Sequence, residues 1–262
     1  MEWYNRCLIF PFFCLSALLI GCGNEDEPGT DGEGSEGTEE LKSYSIGDVC
    51  EIGGVKGIVF NTGEAVTRAT GEVDYKVGMA ISVDEVELAW SVVDEPLSGC
   101  TSTFGKDNCA LIMSRPDWKK NYPAVKWCND KNKDITDKDY QWYLPSKEEL
   151  GEFFLIYYGI PEGKTIQSVD LKMKGDFDRR FKENGGVGIT DLNDRAFKDY
   201  WTSTSETKTA HSGASLEEDI VYNWTTYLNW ADVSFHGYGA TARSTNKSDV
   251  KYVRAIRKVK MK

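Results

Sequence analysis

One stretch, SKEELGEFFLIYYG from Ser146 to Gly159, carries the signals for both ends of a helix and for its buried face. Ser146 and Glu149 have the spacing of a capping box, and Pro145 is placed to pack on Leu150 as a hydrophobic staple. Leu150, Phe153, Phe154, Tyr157 and Tyr158 then recur at helical spacing, so the helix has a broad apolar face, and Gly159 ends it. A helix this aromatic on one side belongs in a packed core, which places the folded body of the chain around it.

The segments before it read mainly as strands. DVCEI, a Gly53-Gly54 turn and KGIVFNT predict a hairpin, and YKVGMAISV and VELAWSVV follow as further strands. NYPAVKWCNDK predicts a helix with Pro123 in its first turn and Ala124, Trp127 and Cys128 on one face, Cys128 pointing inward. A third helix is expected from about Ser168 to Glu183, closed by Gly185-Gly186. Beyond it YWTSTS, WADVSFH and KYVRAIRKV read as strands. Strands and helices in this order give an α+β domain over 44–262, within the size range of a single domain.

The chain before residue 44 has a different character. Residues 1–21 hold a short lead with Arg6 and an uncharged apolar run from Cys7 to Ile20, too short to span a bilayer at about 20 residues. The run closes on Leu19-Ile20-Gly21-Cys22, which resembles the bacterial lipoprotein cleavage box, so the mature chain is expected to start at Cys22 and carry the lipid there. Several acyl chains on one cysteine would make a lasting membrane anchor. Residues 22–43 are rich in Gly, Glu, Asp and Ser and predict a flexible, self-repelling tether. They hold −7 of the chain's formal charge of −11, which leaves 44–262 only mildly acidic and without the basic footprint of a nucleic-acid binder. The acids Glu25, Asp26 and Glu27 resemble the export tag of Bacteroidetes lipoproteins bound for the outer face of the outer membrane, the localisation expected here.

Four cysteines remain after Cys22: Cys50, Cys100, Cys109 and Cys128. In an oxidising compartment they suggest two disulfides with three connectivities, Cys100 to Cys109 being preferred as the shortest loop. Zinc would want paired CxxC spacing, which is missing.

Three segments in fixed order, WYLPSKEEL, DYWTSTSE and KYVRAIR, resemble the C-type-lectin-like family that includes the C-terminal domain of the Legionella collagen-like adhesin and many Bacteroidetes surface lipoproteins. VKGIVFNTG and YPAVKWC extend the likeness over most of Tyr44 to Val259. The resemblance implies antiparallel sheets with two to three packed helices and a variable loop region that binds ligand. It makes Trp142, Leu144, Pro145, Leu150, Trp201, Tyr252 and Val253 scaffold. It also implies that Arg254 and Arg257 form buried or half-buried ion pairs, with Glu149 the expected partner of Arg254.

Catalytic patterns are sparse. His211 and His236 are the only histidines and lack HExxH spacing, and GxSxG is absent. The calcium motifs of sugar-binding lectins are unmatched: Glu95-Pro96 runs into Leu97, and WCND falls in a predicted helix, so neither a metal nor another cofactor is expected. No late cysteine exists for formylglycine chemistry. What stands out is Val221 to Lys247, with Trp224, Tyr227, Trp230, His236, Tyr238 and Arg243 in one short span. Aromatics on a rigid face stack on sugar rings or anchor a protein partner at little entropic cost. The expected function is a surface-exposed binding or adhesion protein, without catalytic residues, for an extracellular glycan, matrix polymer or protein. The alternatives are a polysaccharide hydrolase using paired carboxylates and a structural subunit of a surface assembly.

Overall fold

The computed structural model describes residues 41–71, 73–93, 97, 99–160, 171–189, 198–210, 218–228 and 240–262; of 206–210, 218–228 and 240–246, and of Leu171, it describes the backbone. Residues 40–262 form one compact unit. Its strands are β1 (Val49–Ile52), β2 (Val55–Thr67), β3 (Val73–Ser82), β4 (Val86–Ala89), β5 (Tyr200–Ala210), β6 (Glu218–Leu228), β7 (Ala240–Asn246), β8 (Val250–Val253) and β9 (Ile256–Met261). Its helices are α1 (Gly105–Met113), α2 (Trp118–Asn121), α3 (Pro123–Asn129), α4 (Lys147–Tyr157) and α5 (Leu171–Glu183), with 3-10 turns at Asp130–Asn132 and Lys138–Tyr140. One sheet has the order β1-β2-β3-β9 and the other β4-β8-β5-β6-β7. All pairings are antiparallel except β5 with β8, which meet in parallel at Tyr200 and Tyr252. The class is α+β.

The described residues hold five α-helices where two to three were expected. α1 explains the difference. Its inward positions are Gly105, Asn108, Cys109 and Ile112, a correct i, i+3, i+4, i+7 set. Two of the four are a glycine and an asparagine, so the helical period is invisible to a reading of apolar residues. The four-residue α2 buries nothing.

The first hairpin forms as its turn residues dictate. Gly53 and Gly54 both take positive φ, 59° and 72°, the backbone a two-residue loop needs to match the strand twist. The strand expected over KYVRAIRKV is in fact two. β8 belongs to the second sheet and β9 to the first, and the chain changes sheet at Arg254-Ala255, both buried. An isolated bridge between Tyr143 and Ile256 ties this crossing to the segment that leads into α4.

α4 begins as its sequence specifies. The Ser146 hydroxyl accepts from the Glu149 amide, and Glu149 accepts in return from the Ser146 amide at 2.9 Å. Phe153 on its inner face is fully buried and meets Phe60 of β2 edge to face at 5.4 Å and Phe177 of α5 at 5.8 Å, so one ring joins sheet to helix to helix.

The YWTSTS motif does more than form a strand. Between Trp201 and Ser205 the register of β5 against β6 slips, and the bulged residues bind elements on every side. Thr202 O accepts from Trp90 Nε1 at 2.8 Å, the Ser203 amide donates to Pro145 O at 2.6 Å, and the Ser205 amide donates to Cys100 O at 2.9 Å. Lys147 at the start of α4 donates its amide to Thr204 Oγ1. Thr202 to Ser205 are all buried, and this bulge fastens α4 and the approach to α1 onto the second sheet.

No disulfide forms among the described cysteines: Cys50, Cys100, Cys109 and Cys128 are free and buried. Loop length favours a Cys100–Cys109 bridge only through the unfolded chain, whereas the bond also needs facing sulfurs. α1 sets where Cys109 points, and its Sγ lies 3.5 Å from Leu144 O; Cys100 Sγ turns to Asn108 O at 3.9 Å. Cys50 packs in a separate small cluster with Val59, Ala80, Val259 and Met261. Burial pushes the Cys50 and Cys100 thiols up to about 11 and raises Cys109 and Cys128 further. Iodoacetamide at pH 8 should therefore leave all four unmodified in the native protein and label all four in guanidinium without reductant, read by peptide mass mapping. Cysteines that stay unlabelled after unfolding would be bridged.

Candidate functional site

The outer strands of the second sheet carry the described part of the expected ligand surface. β6 and β7 run antiparallel with Trp224 opposite Ser244, Thr225 opposite Arg243 and Tyr227 opposite Thr241. Opposed residues share a face, and faces alternate along each strand. Tyr227 and Arg243 thus lie on one face and Trp224 on the other. Which face is which follows from β5, where Tyr200 pairs with Thr226 and Trp201 with Thr225. The Tyr200 ring packs on Phe154 of α4 at 6.0 Å, and the register puts position 224 on the same face of the sheet as Tyr200. Tyr227 and Arg243 take the face of Trp201.

The register therefore places Tyr227 and Arg243 at diagonal positions of one face and Trp224 at a position of the other. Trp230, His236 and Tyr238, in the segment joining β6 to β7, lie outside the described residues, as does Cys22. So does the apolar run 7–20; among the described residues no helix is long and apolar enough to cross a membrane.

No family model, curated protein or solved structure matches the chain. The functional reading consequently rests on the residues themselves.

The buried ionisable groups are engaged within the scaffold. Arg254, 1% exposed, does not pair with Glu149 but with Glu85: Nε and Nη2 lie 3.0 and 2.9 Å from Glu85 Oε2. Its remaining donors go to the carbonyls of Ser82 and Val83, each at 2.9 Å, and of Val187, and its plane stacks on Phe181 at 4.1 Å. Tyr200 donates its hydroxyl to the same Glu85 oxygen at 2.6 Å, and Lys198 pairs with the other. Burial alone would lower the guanidinium, but the Tyr200 hydroxyl and the Glu85 carboxylate outweigh it and hold Arg254 above its usual range. Glu85 was not legible as its partner because 169 residues separate the two, and SVDEVEL shows only a strand start. Arg257 is also buried, its guanidinium 5.5 Å from the Trp142 ring centre. Trp142 and Trp201 are buried as scaffold, and Pro145 is buried beside the β5 bulge.

Glu149 serves a different purpose. Its Oε2 accepts from the amides of Gly105 and Ser146, both at 2.9 Å, and its Oε1 accepts from the Tyr143 hydroxyl at 2.8 Å, so one carboxyl joins the first residue of α1 to the cap of α4. Gly105 is required there, since a Cβ would stand 2.4 Å from Leu144 O. Burial raises Glu149 above its ordinary value of 4.5, against the opposing pull of the Ser146 and Gly105 amides and the Tyr143 hydroxyl. A raised folded value means that this group's stabilising contribution is full below about pH 4.5 and is lost as pH rises through the folded value. Glu149→Gln keeps an acceptor and removes the titration, so the stability of wild type relative to the variant should fall with rising pH across that window, measured by urea unfolding at a series of pH values. Parallel curves would contradict the assignment.

Among the described residues no group of three or more His, Cys, Asp or Glu side chains is placed to hold a metal ion. What the described site offers chemically is an aromatic and a cationic residue on one face of an outer strand pair, held by a helix-backed sheet.

Proposed function

We propose that the chain is a lipid-anchored outer-membrane protein, tethered at Cys22 and displayed at the cell surface, whose C-type-lectin-like domain 44–262 binds an extracellular glycan, matrix polymer or protein without transforming it. The observation that carries this reading is the shared face of Tyr227 and Arg243 on β6 and β7, the two strands that flank the aromatic segment 229–239. A tyrosine and an arginine at diagonal positions of one face suit a sugar ring with its hydroxyls, or an aromatic or acidic side chain of a partner. The capped and buried supports of the sheet favour a fixed display surface: the bulge at Thr202 to Ser205, the Glu85–Arg254 pair and the Glu149 link all spend their polar groups inside the protein.

The purified full chain on a glycan and matrix-protein array, with and without calcium, tests the proposal. Binding should fall at least about tenfold on Tyr227→Ala, His236→Ala or Tyr238→Ala, the scale of one anchor residue, while Trp224→Ala should act mainly on stability. Undiminished binding in all three would place the ligand elsewhere.

A further inference from the structure

A second recess lies among the helices. α1, α3 and the segment from Lys138 to Tyr143 enclose a cleft of about 160 Å³. Ala110 and Met113 of α1, Val125 of α3 and Tyr143 form apolar walls, and the Cys109 thiol is part of its lining. Three polar groups of its lining have no hydrogen-bond partner among the described residues: the ammonium of Lys138, the side-chain amide of Asn129 and the buried indole Nε1 of Trp142. The neighbouring Lys106 also lines it but is already engaged, with Nζ 2.5 Å from Asp139 Oδ1.

Volume and charge together define an occupant. An apolar cavity of about 150 Å³ accommodates a benzene ring, so this cleft takes a body of one six-membered ring or a short aliphatic chain. A cation and an amide donor at the same cleft favour an acceptor-rich, anionic head. We propose that the cleft between α1, α3 and residues 138–143 is a binding site for a small amphipathic carboxylate, its apolar part between Ala110, Met113, Val125 and Tyr143 and its carboxylate on Lys138 and Asn129. The site is separate in sequence and in structure from the β6–β7 face, so it goes beyond the binding function proposed above and neither stands on the other.

Benzoate and its neutral isostere benzamide are the probes, titrated into the full chain by calorimetry and ligand-observed NMR. Benzoate should bind saturably and at least about fivefold more tightly than benzamide, the effect of one partly exposed ionic contact, and the preference should shrink as salt is raised. Lys138→Ala should remove that preference. Ala110→Leu, an exposed helical position where leucine is well tolerated, should block the cleft and abolish binding of both probes with the thermal midpoint unchanged. Non-saturable benzoate binding, or saturable binding untouched by Ala110→Leu, overturns the site; equal affinity for benzoate and benzamide overturns the carboxylate assignment.

Discussion

Glu85→Ala is expected to destabilise the protein by about 3–5 kcal/mol, the cost of leaving a buried charge without its partner. Arg254 is 1% exposed and receives both of its ionic contacts from this one carboxylate, while Tyr200 and Lys198 lose a partner in the same step. Water cannot replace the carboxylate without opening the junction where the chain passes from one sheet to the other. Native stabilities of roughly 5–15 kcal/mol make this a large fraction of the total. The double substitution Glu85→Leu, Arg254→Met should recover only part of the loss. Removing both charges relieves the unpaired guanidinium, but the carbonyls of Ser82, Val83 and Val187 then lose their common donor. Urea unfolding of the three proteins measures the difference. A loss within about 1 kcal/mol for Glu85→Ala would mean that the pair behaves as an exposed one.

Phe153→Ala should cost a similar amount, about 3–5 kcal/mol, for another reason. Its ring is fully buried and lies 5.4 Å from Phe60, 5.4 Å from Phe154, 5.8 Å from Tyr157 and 5.8 Å from Phe177. These neighbours sit on β2, α4 and α5, so no single element can move in to fill the space, and the cavity term adds to the lost transfer energy. For a domain of this size the change corresponds to a fall of about 6–20 °C in Tm, read by circular dichroism. Phe153→Leu, which leaves a smaller void, should lose less. Binding at the proposed β6–β7 face should fall only in proportion to the loss of folded protein, because Phe153 lies in the core and not on those strands.

The features that were legible beforehand share a short range. The Ser146–Glu149 capping box, the Gly53-Gly54 hairpin, Pro123 opening α3 and the aromatic face of α4 each depend on residues within a turn or two of one another, where backbone geometry fixes what is adjacent. The candidate site was legible only in composition. Period 2 within β6 and β7 divides Trp224 from Tyr227 and Arg243, but the extents and register of those strands had to be known before the period could be applied. The segment WADVSFH, read as a strand, lies outside the described residues.

What the sequence by itself determined, then, was the class of the fold, the start and end of its main helix and the residues that would be buried there. Tertiary structure alone decided that Arg254 pairs with Glu85 and not Glu149, that four cysteines stay apart as thiols, that one apparent C-terminal strand serves two sheets, and that a cleft opens between α1 and α3. The reason is the same in each case. Such pairings join segments tens to more than a hundred residues apart, and the chain carries no local signal for them, because their partners are selected by which faces the packed helices and sheets bring into contact.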